Sequence, residues 1–77
     1  MEIKLFGGLE KYLPRGSNGN SCRISLEEGG TVGALLQELK IPREIPKILL
    51  VNGVHVRMER ELKEGDGVSV FPPLAGG

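Results

Sequence analysis

An α+β domain, with one helix laid across a single mixed sheet, is what this sequence predicts. Three observations predict it. Apolar residues recur at every second position near both ends, Ile3 and Leu5 alternating with Glu2, Lys4 and Phe6, and Val68 and Val70 alternating with Ser69 and Phe71; that period of two marks a strand with one buried face. One segment, Val32, Leu35, Leu36 and Leu39, carries its apolar residues at the i, i+3, i+4, i+7 spacing of a helix. The runs follow one another as strand, strand, helix, strand, short strand, strand, an order that suits a helix packed on one sheet.

The elements follow in chain order. The first strand ends at Gly7-Gly8, with Phe6 on its outer face, and Leu9 to Leu13 are read as a short turn. Residues 14–20 are polar and rich in turn formers, which makes them the expected mobile loop. Cys22, Ile24 and Leu26 alternate with Arg23, Ser25 and Glu27, a second strand expected to pair with the first. Thr31 is the N-cap of the helix, and Pro42 is expected to stop it just after Lys40 and Ile41. Gly33 costs about 1 kcal/mol relative to Ala inside a helix, so it implies a close approach to the sheet or a tolerated defect near the helix start.

The second half is more compact in its signals. Residues 42–46 connect to Ile48-Leu49-Leu50-Val51, a continuous apolar run compatible with a strand covered on both faces. Asn52-Gly53 is a hairpin signal, with Val54-His55-Val56 returning. Residues 57–60 read as a solvated connection, and Glu64-Gly65-Asp66-Gly67 as the tight turn before the last strand.

Composition narrows the function. A chain of 77 residues makes one small domain with one modest core, room for a binding surface and hardly for an enclosed active site. Lys plus Arg equals Asp plus Glu at 10 each, without a single-sign stripe, which argues against nucleic acid or an anionic membrane and favours protein partners. Neither a signal peptide nor a membrane span is legible, so a cytoplasmic location is the default expectation. Cys22 is the only cysteine, which rules out an internal disulfide and a cysteine metal cluster; it reads as a small buried thiol. His55 is equally alone and reads as a solvent-facing strand side chain. No metal site is expected.

The terminal segment Phe71-Pro72-Pro73-Leu74-Ala75-Gly76-Gly77 is where chemistry is expected. Two prolines lack backbone donors and have fixed φ, so the chain after Phe71 leaves the sheet as an extended arm. Six residues reach at most roughly 20 Å, enough to carry a terminal carboxylate into a partner. With 12 glycines in the chain, a Gly-Gly end arises by chance about once in forty such chains. Its setting, directly after a proline pair that closes a strand, says more than the dipeptide. Phe6 and Phe71 fall by parity on the face that the helix leaves open, a docking patch at the root of the arm.

Taken together, Leu5-Phe6-Gly7, Thr31-Val32-Gly33-Ala34-Leu35-Leu36, Val51-Asn52-Gly53, Leu62-Lys63-Glu64-Gly65-Asp66 and the terminal Phe71-Pro72-Pro73-Leu74-Ala75-Gly76-Gly77 resemble the ubiquitin-like sulfur carriers of the MoaD/ThiS family. The resemblance covers nearly the whole chain, and the Pro-Pro-x-x-Gly-Gly ending is most similar to the small subunit of molybdopterin synthase. It implies a ubiquitin-like β-grasp fold, with four to five strands in a mixed sheet and one main helix, over residues 1–72, and a flexible Gly-Gly tail over residues 73–77.

The resemblance also implies roles. Gly77 would be activated at its carboxylate by ATP, on a ubiquitin-activating-type adenylyltransferase, and converted to a thiocarboxylate. Pro73, Leu74, Ala75 and Gly76 would insert into the partner, with Leu74 as an apolar grip, while Phe6 and Phe71 match the family's docking face. The implied partners are the adenylyltransferase, the molybdopterin synthase large subunit and a sulfur donor such as a cysteine desulfurase or rhodanese. No cofactor would be bound by the chain itself, which would be substrate and carrier rather than enzyme. Related carriers serve thiamine synthesis, tRNA thiolation, cysteine synthesis or tungsten-pterin pathways, and fold alone does not choose among them. Two other readings stand beside these: a protein modifier joined through Gly77 to lysines, and a β-grasp interaction module with an inert tail.

Overall fold

The structure is a computed structural model and describes residues 1–17, 19–25 and 29–73. Five strands form one sheet: β1 (Glu2–Leu5), β2 (Ser21–Arg23), β3 (Ile48–Val51), β4 (Val54–His55) and β5 (Gly67–Phe71). Their spatial order is β2-β1-β5-β3-β4, with β1 and β5 parallel at the centre and the other pairs antiparallel. A single α-helix, α1 (Val32–Glu38), and a 3-10 turn (Leu9–Tyr12) complete the regular elements of the described residues. This is the ubiquitin-like β-grasp arrangement, a mixed sheet crossed by one helix.

Register explains the core. Ile3 sits beside Val68 and Leu5 beside Val70 across the parallel pair, while Leu49 faces Val70 and Val51 faces Val68 across the antiparallel one. Residues opposite one another share a face, so one side of the sheet gathers Ile3, Leu5, Leu49, Val51, Val68 and Val70, all buried. Val32, Leu35, Leu36 and Leu39 join them from the helix side, with Leu9, Ile41 and Leu62 closing the ends.

The helix begins as expected and ends differently. Thr31 Oγ1 accepts a hydrogen bond from the Ala34 amide at 3.2 Å, the N-cap contact. Before Pro42 is reached, Lys40 adopts a left-handed conformation at φ 61°. The Lys40 amide donates to Gln37 O at 2.9 Å and the Ile41 amide to Leu36 O at 3.0 Å. That is a Schellman end with a lysine where glycine is usual, and burial of Ile41 holds it in place. The helix therefore closes at Glu38, not after Ile41.

Further expectations need correction. The second strand is shorter than its alternation suggests, Ser21–Arg23, and its predicted continuation through Leu26 and Glu27 lies outside the described residues. Cys22 is half-buried against the core, not fully enclosed. Residues 57–60 are not simply solvated. The Gly33 amide donates to Met58 O and the Val32 amide to Arg60 O, both at 2.9 Å, so this connection docks on the helix start. A Cβ on Gly33 would lie 3.3 Å from Met58 O, so the close approach is to that connection and not to the sheet.

The last correction concerns β3. Leu49 and Val51 are buried but Ile48 and Leu50 are only half-buried, so this apolar run is not covered on both faces. Its second apolar face belongs to the open side of the sheet.

Candidate functional site

The open side of the sheet carries a small apolar patch where the parallel strands end. Because β1 and β5 run in the same direction, with Leu5 beside Val70, the residues that follow each pair arrive together. The Phe6 amide donates to Val70 O at 3.1 Å, extending the ladder one step. Phe6 and Phe71 then stack face to face, with ring centroids 4.5 Å apart and planes 4° from parallel. Such a pair adds about 0.5–1.5 kcal/mol beyond its area burial.

Ile48 lies opposite Phe71 and Leu50 opposite Ser69, which extends the patch across β3. His55 pairs with Leu50, and Lys4 with Ser69, so polar groups rim it. All four apolar residues are half-buried, which leaves substantial area for another surface.

Pro72 leaves this patch against the turn that ends β1. Gly7 has φ +63°, and a Cβ placed on it would fall 2.6 Å from Pro72 Cδ and nearer still to Cγ. The proline ring therefore rests on the bare backbone of Gly7. β5 stops at Phe71, as the proline pair requires, and Pro73 beyond it is exposed. Leu74, Ala75, Gly76 and Gly77 lie outside the described residues.

Of the residues singled out from sequence, the structure brings together Phe6 and Phe71, with Pro72 and Pro73 directly following. Ile48 and Leu50 belong with them and were missed, because a continuous apolar run does not announce which of its alternating residues face the helix. The signal was available: Val68 and Val70 are core residues, and antiparallel pairing of β3 with that strand leaves two apolar positions on the far side.

The two lone residues stand apart. Cys22 pairs with Ile3 on the core-facing side; burial pushes its thiol up, partly offset by a hydrogen bond with Ser17, so it is poorly suited to act as a nucleophile. His55 is exposed as expected. Among the described residues no three His, Cys, Asp or Glu side chains gather to hold a metal ion, and no helix is long and apolar enough to cross a membrane.

A groove of about 640 Å³ runs between α1 and Met58, on the other side of the sheet from the aromatic pair. Its lining mixes Thr31, Gln37, Lys40, Arg43 and Glu59 and offers no nucleophile with an adjacent base. Lys47 lies near it but is occupied: its Nζ donates to the carbonyls of Pro42, Arg43 and Ile45, and burial lowers its pKa. The ammonium pins the connector into β3.

Comparison with known proteins agrees with this geometry. Two structures of the same Haloferax volcanii protein share the fold. One, SAMP1, superposes with a TM-score of 0.74 at 22% identity over 99% of this chain and 97% of that one. The other, described as small archaeal modifier protein 1, gives 0.75 at 22% identity over 95% of each. A chain from the complex of subunits 1 and 2 of the molybdopterin-converting factor of Helicobacter pylori 26695 gives 0.63 at 20% identity, covering 99% of this chain and 96% of that one. A search of the curated proteins returns no match. The model of the ThiS family matches residues 3–77, from the first strand to the final glycine, and the chain belongs to that family.

Proposed function

We propose that this protein is a sulfur carrier that delivers sulfur from a thiocarboxylate at Gly77, in the synthesis of the molybdenum or tungsten pterin cofactor. The observation that carries the reading is the root of the arm: a stacked aromatic pair on an open apolar face, with Pro72 seated on Gly7 directly before the sequence that ends in Gly-Gly. Membership of the ThiS family supports it, and the Pro-Pro-x-x-Gly-Gly ending favours the pterin branch over thiamine synthesis.

The chemistry is group transfer on a carboxylate. The Gly77 carboxylate attacks the α-phosphorus of ATP and releases pyrophosphate, leaving an acyl-adenylate in which AMP is the leaving group. Hydrosulfide then adds at the carbonyl carbon and expels AMP, giving the thiocarboxylate. With a persulfide donor, the first product is an acyl disulfide, which a thiol reduces to the same species. The terminal glycines present no side chain to obstruct either attack. Catalytic groups come from the partners: a ubiquitin-activating-type adenylyltransferase, a persulfide donor such as a cysteine desulfurase or rhodanese, and a large synthase subunit that accepts the tail. Phe6 and Phe71, with Ile48 and Leu50, form the docking patch, and Pro73, Leu74, Ala75 and Gly76 thread the partner. The protein works in the cytoplasm and carries no cofactor of its own.

A second reading shares the first step. The Haloferax structure described as a modifier protein favours conjugation, in which a lysine amine displaces AMP from activated Gly77. Intact-mass analysis after incubation with the activating enzyme, ATP and sulfide separates the two. A species about 16 Da heavier, oxygen replaced by sulfur, supports the carrier. Gly-Gly remnants on target lysines without that species support the modifier. Neither product would overturn both.

A further inference from the structure

Gly7 has no assigned role, yet its environment differs from that of the other described glycines. Left-handed backbone alone does not demand glycine here, since Lys40 at φ 61° and Asn52 at φ 52° occupy the same region with full side chains. Gly8, Gly16, Gly19, Gly53 and Gly65 are also at positive φ, and a Cβ on any of them meets nothing within 4 Å. At Gly7, by contrast, a Cβ would run into a neighbour at 2.6 Å or less, and that neighbour is the ring of Pro72. A proline ring is rigid and cannot swing aside as a lysine or methionine tip would.

We propose that Gly7 is a positioning residue: its missing side chain makes the seat for Pro72, and the seat sets the direction in which the C-terminal arm leaves the domain. The surrounding contacts hold that seat still. The Phe6 amide is tied to Val70 O, the Leu9 amide to Phe6 O at 3.1 Å, and the Gly8 amide to Glu10 Oε1 at 2.6 Å. On the other side, Phe71 is stacked on Phe6. Pro72 is thus gripped between a fixed strand end and a fixed turn. Pro73 follows with φ also locked and restricts the residue before it to extended backbone, so an orientation set at Pro72 passes into the arm. The proposal rests on the reading that the arm is presented to partners, but the seat itself can be tested without any sulfur chemistry.

The test uses the full chain in a Cys22→Ser background, with spin labels on Gln37→Cys and Ala75→Cys and the distance distribution between them as readout. Gly7→Ala and Pro72→Ala are each expected to widen that distribution about twofold, and the double variant to be no wider than either, because both remove one shared contact. With the unlabelled chain, activation of the C-terminus is expected to show KM raised about tenfold and kcat unchanged, as for lost presentation of the substrate. An unchanged distribution in Pro72→Ala, or widths that add in the double variant, overturns the proposal. Should Gly7→Ala fail to fold, Pro72→Ala alone decides. Expected distances with an unmodified Gly77 would leave the seat standing and sink the sulfur reading.

Discussion

The two faces of the sheet are built from the same strands and behave oppositely. On the helix side, Ile3, Leu5, Leu49, Val51, Val68 and Val70 are buried under Val32, Leu35 and Leu36. On the open side, Phe6, Phe71, Ile48 and Leu50 stay half-buried although they are as apolar. We read these four apolar side chains, gathered on the uncovered face, as the surface proposed above to dock a partner. One face forms the core of the protein; the other is the face proposed to meet a partner.

The sharpest way to break that contrast is to truncate one residue from each face. Leu35→Ala, in the centre of the covered side, is expected to cost about 2–5 kcal/mol, read as a fall in the urea midpoint. Phe71→Ala should cost less, about 1 kcal/mol of stability, yet weaken binding of the activating enzyme by at least about 2 kcal/mol in a titration. Equal losses of stability for the two variants, with unchanged binding for the second, would erase the distinction. Phe6→Ala should behave like Phe71→Ala, and the double variant should show non-additive binding because the rings act as one surface.

Smaller effects sharpen the division between scaffold and site. Thr31→Ala removes the N-cap contact on the covered side and should lower stability by about 1 kcal/mol without altering affinity. The polar clip behind the last strand gives a pH signature. Asp66 accepts from the Lys63 amide at 2.8 Å and from Asn52 Nδ2 at 2.9 Å, and Asn52 Oδ1 in turn accepts from the Gly67 amide at 2.9 Å. The Lys63 amide, then the Asn52 side chain, hold the Asp66 carboxyl below its usual range. A depressed pKa favours the folded state once the unfolded carboxyl is ionised, so this support is complete above roughly pH 4 and fades as pH falls through the folded value. Asp66→Asn should therefore flatten the acid limb of the stability curve while leaving its neutral-to-alkaline slope unchanged. An acid limb identical to that of the parent chain would show the clip to be inert.

Much of the scaffold was legible because its signals are local. The spacing of Val32, Leu35, Leu36 and Leu39, the Thr31 cap and the Asn52-Gly53 turn each depend on residues adjacent in sequence, and each appears in the structure. The helix end was misplaced because proline is only one way to stop a helix, and Lys40 turned left-handed under the pull of buried Ile41. Parity put Phe6 and Phe71 on one face, but their stacking needed β1 and β5 to run parallel and adjacent. That is a pairing across most of the chain. The Gly7 seat is less legible still: Gly7-Gly8 reads as an ordinary strand terminator until the ring of a residue far along the chain is seen to rest on it.

Amide hydrogen exchange of the free chain against its complex with the activating enzyme tests the central claim most directly. The account predicts added protection at Phe6, Ile48, Leu50, Ser69 and Phe71, with the amides of α1 unchanged. Protection centred on α1 and the groove beside Met58, with the open face exchanging as in the free protein, would contradict it.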